Sequence, residues 1–284
     1  MTLQHVVVGV DGTLAAVRAL DRAADEAARR DAELRVVYAV PDRDEAAPIL
    51  ASAVARVHAR RPGLRVTTEV VQGNAVRALT DASEGAALTV VGTRGFGGVT
   101  GTLFGSVSLR LAAQVHGPLM VVRGDHPVDH TPAPFDAGRH VLLGLQGDGD
   151  ADVAAYAFEE AERRGVWLHV LHSFNHRHVA PELPSLIPAT SPGQQRLAQH
   201  DRAEEAVPRF SLARLQERHP RVGVDARTVR GGPAHALLEA TADASVVVIG
   251  THRRTGRVGP HLGTVAHTLL HHSHCPVVLV PTEA

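Results

Sequence analysis

The chain opens on a short β-branched run, His5 to Val10, closed by Asp11-Gly12, and the same arrangement returns at His140 to Leu145. Brief apolar runs bounded by turn residues are the pattern of strands buried on both faces. After the first run, Thr13 is placed to cap a helix whose apolar stripe is Ala16, Leu20, Ala23, Ala24 and Ala27. Leu34 to Val40 predicts a second strand, and Ile49 to Arg61 belongs to a second helix ended by Pro62-Gly63. In Leu64 to Val71 the polar Arg65, Thr67 and Glu69 alternate with apolar neighbours, as expected at a sheet edge. Gly73 and Asn74 introduce a helix to Glu84, and Ala87 to Val91 predicts a fourth strand. A glycine-rich loop, Gly92 to Thr102, then leads to a helix over Gly105 to His116 and a fifth strand over Leu119 to Val122.

The second half repeats this plan with His140 to Leu145, Ala151 to Arg164, Val166 to Leu171, Val222 to Val229, Pro233 to Asp243, Ser245 to Ile249 and Val277 to Val280. Strands alternating with helices imply right-handed crossovers and a mainly parallel sheet. The fold class expected is therefore α/β, with two tandem open parallel five-stranded sheets and helices on both faces. The domains expected are residues 1–124, a linker at 125–139 rich in proline and aspartate, and residues 140–284. The first-strand motifs are offset by 135 residues and the late glycine motifs by 158, so the second copy holds 23 extra residues between them, placed here in a longer region at 174–220. Pro181, Pro184, Pro188 and Pro192 make the start of that region an extended loop. Arg196 to Arg218 reads as a surface or partner-facing helix, and Pro208 breaks any sustained heptad. Fusion of the copies predicts an intramolecular pseudo-twofold pair in which the two final strands or adjacent surfaces meet; Leu119 to Val122 and Val277 to Val280 are the candidate strands, because both need protection of their edges.

Composition narrows the chemistry. The 29 basic residues are all arginine and stand against 30 acidic ones, so nothing in the charge balance suggests a dedicated nucleic-acid binder. Without lysine the chain has no Walker A phosphate lysine and no Schiff-base lysine, and any polyphosphate must be held by backbone N–H groups, hydroxyls, arginine or a metal. The single cysteine, Cys275, excludes an intrachain disulfide and reads as a partly buried structural thiol. The opening residues lack a charged region before the apolar run, and no apolar run is long enough to span a bilayer, so a cytoplasmic location away from membranes is expected.

The candidate site lies in the first copy. Gly92-x2-Gly95-x9-Gly105-Ser106 follows a strand and leads into a helix, where bare backbone can approach an anion and the helix N-terminus presents unpaired N–H groups. Ser106 and Ser108 add hydroxyls and Arg94 a charge. Asp11 ends the first strand, at the carboxyl edge where open α/β sheets bind ligands, and can accept from a ribose or help hold a phosphate-bound Mg²⁺; capping the turn at Gly12 is its other reading. The second copy departs twice: Gln146 stands where the aspartate does, and Arg253 replaces the second motif glycine. This copy therefore reads as a degenerate pocket that stabilises the pair or binds another anion, although Arg253, Arg254 and Arg257 can bind phosphate and Gly263-Thr264 keeps the helix start. His267 and His271 share a helix face and can approach a metal such as zinc, but no fixed carboxylate or thiolate set completes a site; an ordinary polar helix surface is the favoured reading, and no metal is assigned.

These residues resemble the tandem universal stress proteins of actinobacteria. The resemblance rests on the VVVGVDG opening, the VVGTRG strand and loop at Val90 to Gly95, Gly105-Ser106 and the closing HGPLMVV at His116 to Val122. It implies an adenine-nucleotide alpha-hydrolase-like fold binding ATP, with ADP or another adenine nucleotide as alternatives, and Mg²⁺. By that resemblance Asp11 lies near the ribose and phosphates, the Ala39 backbone reads adenine, Gly92 contacts the ribose, and Gly95, Gly105, Ser106 and Val107 cradle the phosphates. Gly9 and Val10 line the pocket. The function expected is a nucleotide-dependent stress or regulatory module with a protein partner not readable from sequence; homodimerisation is left open. Two rivals stay open. One is a nucleotide-free interaction protein, and the other a slow ATPase or nucleotidyl-transfer enzyme of the same fold.

Overall fold

In the computed structural model, residues 4–40, 46–93, 106–123, 139–174, 192–252, 254–256 and 259–282 are described. The first half runs β1 (His5–Val10), α1 (Leu14–Arg29), β2 (Glu33–Val40), α2 (Ala46–Arg60), β3 (Val66–Gln72), α3 (Ala75–Ala82), β4 (Leu88–Thr93), α4 (Ser106–Gln114) and β5 (Leu119–Arg123). The second runs β6 (His140–Leu145), α5 (Ala151–Arg164), β7 (Leu168–Phe174), α6 (Pro192–Arg218), β8 (Val224–Arg230), α7 (Pro233–Ala240), β9 (Ala244–His252), the short β10 (Arg254–Gly256) and β11 (Gly259–His261), α8 (Thr264–His272) and β12 (Val277–Thr282). The proposed linker and the first part of the region at 174–220 fall largely outside the described residues.

The expectation of two separate five-stranded sheets is overturned. The main strands form one ten-stranded sheet in the order β3-β2-β1-β4-β5-β12-β9-β6-β7-β8. Its pairs are parallel except at the centre, where β12 runs antiparallel to β5 with Val277 opposite Val121, Val278 opposite Met120 and Leu279 opposite Leu119. The reason lies in the strands themselves. Leu119 to Val122 and Val277 to Val280 are buried along their lengths, and an unpaired edge of that composition would expose backbone donors beside apolar side chains. Pairing the two edges satisfies both. The polar β3 and β8 are left at the outer edges.

Because the sheet is continuous, each of its faces carries a core that runs across both halves. Val6, Val8, Leu143, Val248 and Val278 pack on one face with Leu20 and Phe158. Val7, Leu142, Val247 and Leu279 pack on the other with Leu111 and Leu269. The alternation along β1 follows from the two-residue period of a strand.

Helices α1 and α5 lie on the same face, and buried charges join them. Glu26, fully buried, receives Arg164 of the second half at 2.5 Å and Arg22 of its own helix at 3.1 Å. Arg30 also binds it and reaches across to Glu160 at 2.6 Å and to the Tyr156 hydroxyl at 3.1 Å. Burial pushes the Glu26 carboxyl up, but Arg164, then Arg22, Arg30 and Arg29, outweigh it and hold it well below the usual carboxylate range. On its other flank α1 is tied to α2, since Arg56 makes two 2.7 Å bonds to Asp21 and Arg61 binds Asp25. A helix expected to bury one stripe is therefore buried on three sides. Sequence periodicity shows the alanine stripe against the sheet but not the charged flanks.

Helix α6 continues through Pro208, although that residue lacks an N–H and crowds the preceding turn. Burial of Leu212 and Leu215 beyond it holds the helix on the sheet. Pro192 opens α6 instead of belonging to an extended loop.

Glu26→Gln leaves buried arginines without their shared carboxylate, and its unfolding free energy in urea is expected to fall by about 3 kcal/mol. Because the folded-state carboxyl is held low, its contribution is complete above the unfolded value of about 4.3 and is lost as pH falls through the folded value. Below about pH 4 the wild-type urea midpoint should therefore drop by a component that Glu26→Gln lacks.

Candidate functional site

The strand order changes direction between β1 and β4 in the first half and between β6 and β9 in the second. At such switch points neighbouring helices depart to opposite faces and leave a crevice beyond the carboxyl ends of the strands. Asp11 stands at the end of β1, exposed, and its Oδ1 accepts from Thr13 N at 3.0 Å and Thr13 Oγ1 at 2.6 Å. Its Oδ2 has no hydrogen bond among the described residues. Gly12 adopts φ +75°, which makes the sharp exit from the strand possible. Thr13 then caps α1, accepting from Ala16 N at 3.3 Å.

Ala39 is half-buried near the end of β2, opposite Val71 of β3, and the next carbonyl, Val40 O, accepts from Gly73 N at 3.1 Å. Val10 is buried. Gly9 and Gly92 answer to packing. A Cβ on Gly9 would come within 2.9 Å of Leu79 Cδ1, and one on Gly92 within 2.5 Å of the Ala15 carbonyl oxygen. These glycines let α3 and α1 close on the sheet, whatever else they contact. Helix α4 begins at Ser106, with Val107 half-buried and Ser108 buried. Arg94, Gly95 and Gly105 lie outside the described residues, as does Arg253 of the second half. The structure thus gathers Gly9, Val10, Asp11 and Gly92 around the first switch point, with Ala39 one strand further along the sheet.

The second half repeats the geometry with different residues. Val6 pairs with Leu34 in the first half and Val141 with Leu168 in the second, which makes Ser173 the counterpart of Ala39. Gly231 N bonds Phe174 O at 3.1 Å just as Gly73 N bonds Val40 O. A cavity of about 620 Å³ opens here, lined by residues that include Gln146, Asp150, Ser173, Gly250, Thr251 and Thr264. Asp150 is only 2% exposed, and its Oδ2 accepts from Gln146 N at 2.6 Å. Sequence comparison stopped at the loss of the aspartate from the strand end. The signal available was the 135-residue offset, which sets Asp150 opposite Ala15.

Strand β7 extends three residues beyond the Leu171 end expected for it. One of these, His172, is buried, with Nδ1 3.0 Å from Leu145 O and Nε2 2.8 Å from Glu204 of α6. That contact fastens the longer region of the second half to its sheet.

His267 and His271 do share a helix face, with ring centroids 4.3 Å apart. Among the described residues no group of three or more histidine, cysteine, aspartate or glutamate side chains is arranged to hold a metal ion. Burial pushes the Cys275 thiol up to about 11, which keeps it protonated and unreactive near neutrality. No helix among the described residues is long and apolar enough to cross a membrane.

This repeated α/β unit, with a strand-order switch point in each copy, coincides with the Universal stress protein family, whose model matches residues 2–123 and again 138–281. The chain belongs to that family. It is 32% identical over 302 residues to a universal stress protein of Mycolicibacterium smegmatis, covering 97% of this chain and 96% of the relative. To universal stress protein Rv2005c of Mycobacterium tuberculosis it is 35% identical over 300 residues, covering 97% of each. The crystal structure of a universal stress protein from Archaeoglobus fulgidus is similar in fold over 99% of both chains, with a TM-score of 0.68 at 17% identity.

Since the Ala15 carbonyl occupies the space beside Gly92, Gly92→Val is expected to destabilise the protein by about 1–3 kcal/mol. Thermal melts without any ligand should already show the loss. Gly250→Ala, whose Cβ would meet the Asp150 and Val153 side chains at 3.0 and 3.1 Å, should cost less.

Proposed function

We propose that the first half binds an adenine nucleotide, ATP in the first instance, and that the protein acts as a nucleotide-dependent stress or regulatory module. The observation that carries this reading is Asp11, exposed at the carboxyl end of β1 beside the β1/β4 switch point, with one carboxylate oxygen committed to Thr13 and the other without a described partner. A ribose hydroxyl or a phosphate-bound Mg²⁺ suits that second oxygen. The Ala39 segment offers main-chain groups for the base, and Gly95, Gly105, Ser106 and Val107 supply the bare backbone and helix start for the phosphates. Arg94 contributes positive charge. Ser108, buried within the first turn of α4, has a supporting place.

Mg²⁺ would shield phosphate charge in a chain that has no lysine to do so. Asp11 would hold it jointly with the nucleotide. The same residue is a poor general base, because its Oδ1 already accepts two hydrogen bonds and water screens it at the surface. Binding, and a change in how the protein meets a cytoplasmic partner, fits these residues better than turnover. Intramolecular pairing of the halves places the two crevices in one body.

Titration calorimetry with Mg·ATP is the direct test. Saturable binding is expected, with a rise in melting temperature set by ligand concentration over Kd. Asp11→Asn should weaken it about tenfold, equivalent to about 1.4 kcal/mol, and Gly105→Trp should abolish it. If millimolar Mg·ATP gave neither heat nor a melting shift, the nucleotide-free interaction reading would replace this one.

A further inference from the structure

The second half keeps a built cavity at its own switch point but carries different chemistry there. We propose that this cavity binds an unphosphorylated nucleoside, that Asp150 accepts hydrogen bonds from its sugar, and that the same carboxylate rejects the polyphosphate form.

Asp150 decides the selectivity. Only one of its oxygens is used, by Gln146 N at 2.6 Å. Among the described residues Oδ1 has no hydrogen bond and the carboxylate forms no ion pair, although the residue is 2% exposed and lines the cavity. With the residue itself nearly buried, the cavity is where donors for that oxygen must come from, and a carboxylate so placed is costly unless its shell is completed. Gly250 makes the placement possible, since a Cβ there would lie 3.0 Å from Oδ1. In the first half the corresponding space beside Gly92 is taken by the Ala15 carbonyl, and the carboxylate sits outside at Asp11. The second half has the reverse arrangement: neutral Gln146 ends the strand and the anion lies inside the crevice. Bulk water screens Asp11 from a neighbouring phosphate, but screening at buried Asp150 is weak.

The remaining lining suits a neutral ligand of nucleoside size. A volume of about 620 Å³ is within the range of small-molecule sites. Leu145, Leu171 and Leu237 give it an apolar wall, and Ser173 occupies the register position of Ala39. Assigning the base to that strand end rests on the reading of the first half. At the start of α8 the N–H groups of Thr264, Val265 and Ala266 precede the first intrahelical bond, from His267 N to Gly263 O at 3.0 Å. They can donate to a hydroxyl oxygen; a helix start by itself favours an anion, and Asp150 in the same crevice opposes that pull, so the carboxylate sets the preference.

The test uses the full chain, isotopically labelled, with adenosine and ATP as separate probes and the amides of Ser173, Gly250 and Thr264 followed by NMR. Adenosine should shift these amides saturably, and ATP should do so at least tenfold more weakly. Asp150→Asn should weaken adenosine about tenfold while leaving ATP at these amides unchanged or tighter. Ser173→Phe, which fills the cavity and keeps Asp150, should remove the adenosine shifts at Gly250. The proposal is overturned if adenosine leaves the wild-type amides unmoved, if ATP binds there as well as adenosine, or if Asp150→Asn weakens both alike. Amides near Asp11 report the first half independently: their silence towards ATP would sink the nucleotide reading there, while adenosine shifts abolished by Ser173→Phe would keep the second site.

Discussion

The antiparallel contact between β5 and β12 is the constraint from which the architecture follows. Each half alone would end on a strand whose side chains are buried and whose backbone is unpaired on one side. Joining those strands turns two units into one sheet and extends both hydrophobic cores across the join. It also brings the helices that flank the final strands into contact, so packing at the centre depends on residues from both halves. Arg123, at the end of β5, donates to the carbonyl of His271 in α8 and links the opposite face in the same way.

Two helices brought together on one face must bury whatever their facing sides carry. Here that is a lattice of Glu26, Glu160, Arg22, Arg30 and Arg164 in place of an apolar seam. Such a lattice adds little net stability over well-packed hydrophobic residues, but it tolerates few alternative registers because each carboxylate needs its partners. The apolar sheet supplies the drive to associate, and the charges fix where α1 lies against α5.

Much of the strand pattern was legible in the sequence because buried strands leave continuous apolar runs and edge strands leave alternation. Val6 to Val10 and Leu119 to Val122 are of the first kind, and the polar positions of β3 are of the second. Of the two contacts left open, final strands or adjacent surfaces, the structure has the strands, and the count of two sheets was wrong: strand propensity says that an edge needs cover but not that the cover joins the same sheet. The extension of β7 through His172 and Ser173 is not legible because polar residues at a strand end look like loop until their partners are known: Leu145 O and Glu204 for His172, and the Gly231 carbonyl for Ser173. Asp11 could be singled out by its place after an apolar run. For Asp150 the repeat offset gives only a position opposite Ala15; an aspartate before a helix reads as a surface cap, and the three-dimensional crevice shows that it is buried. The persistence of α6 through Pro208 likewise depends on tertiary burial of Leu212 and Leu215, which outweighs a local penalty.

Reversal of strand direction at the midline has a further consequence. The carboxyl ends of β1, β2 and β4 reach one rim of the molecule, and those of β6, β7 and β9 reach the opposite rim. The two switch points therefore lie back to back, and a flat surface resting on one does not touch the other. Any partner in contact with both rims at once has to embrace the protein around its girth.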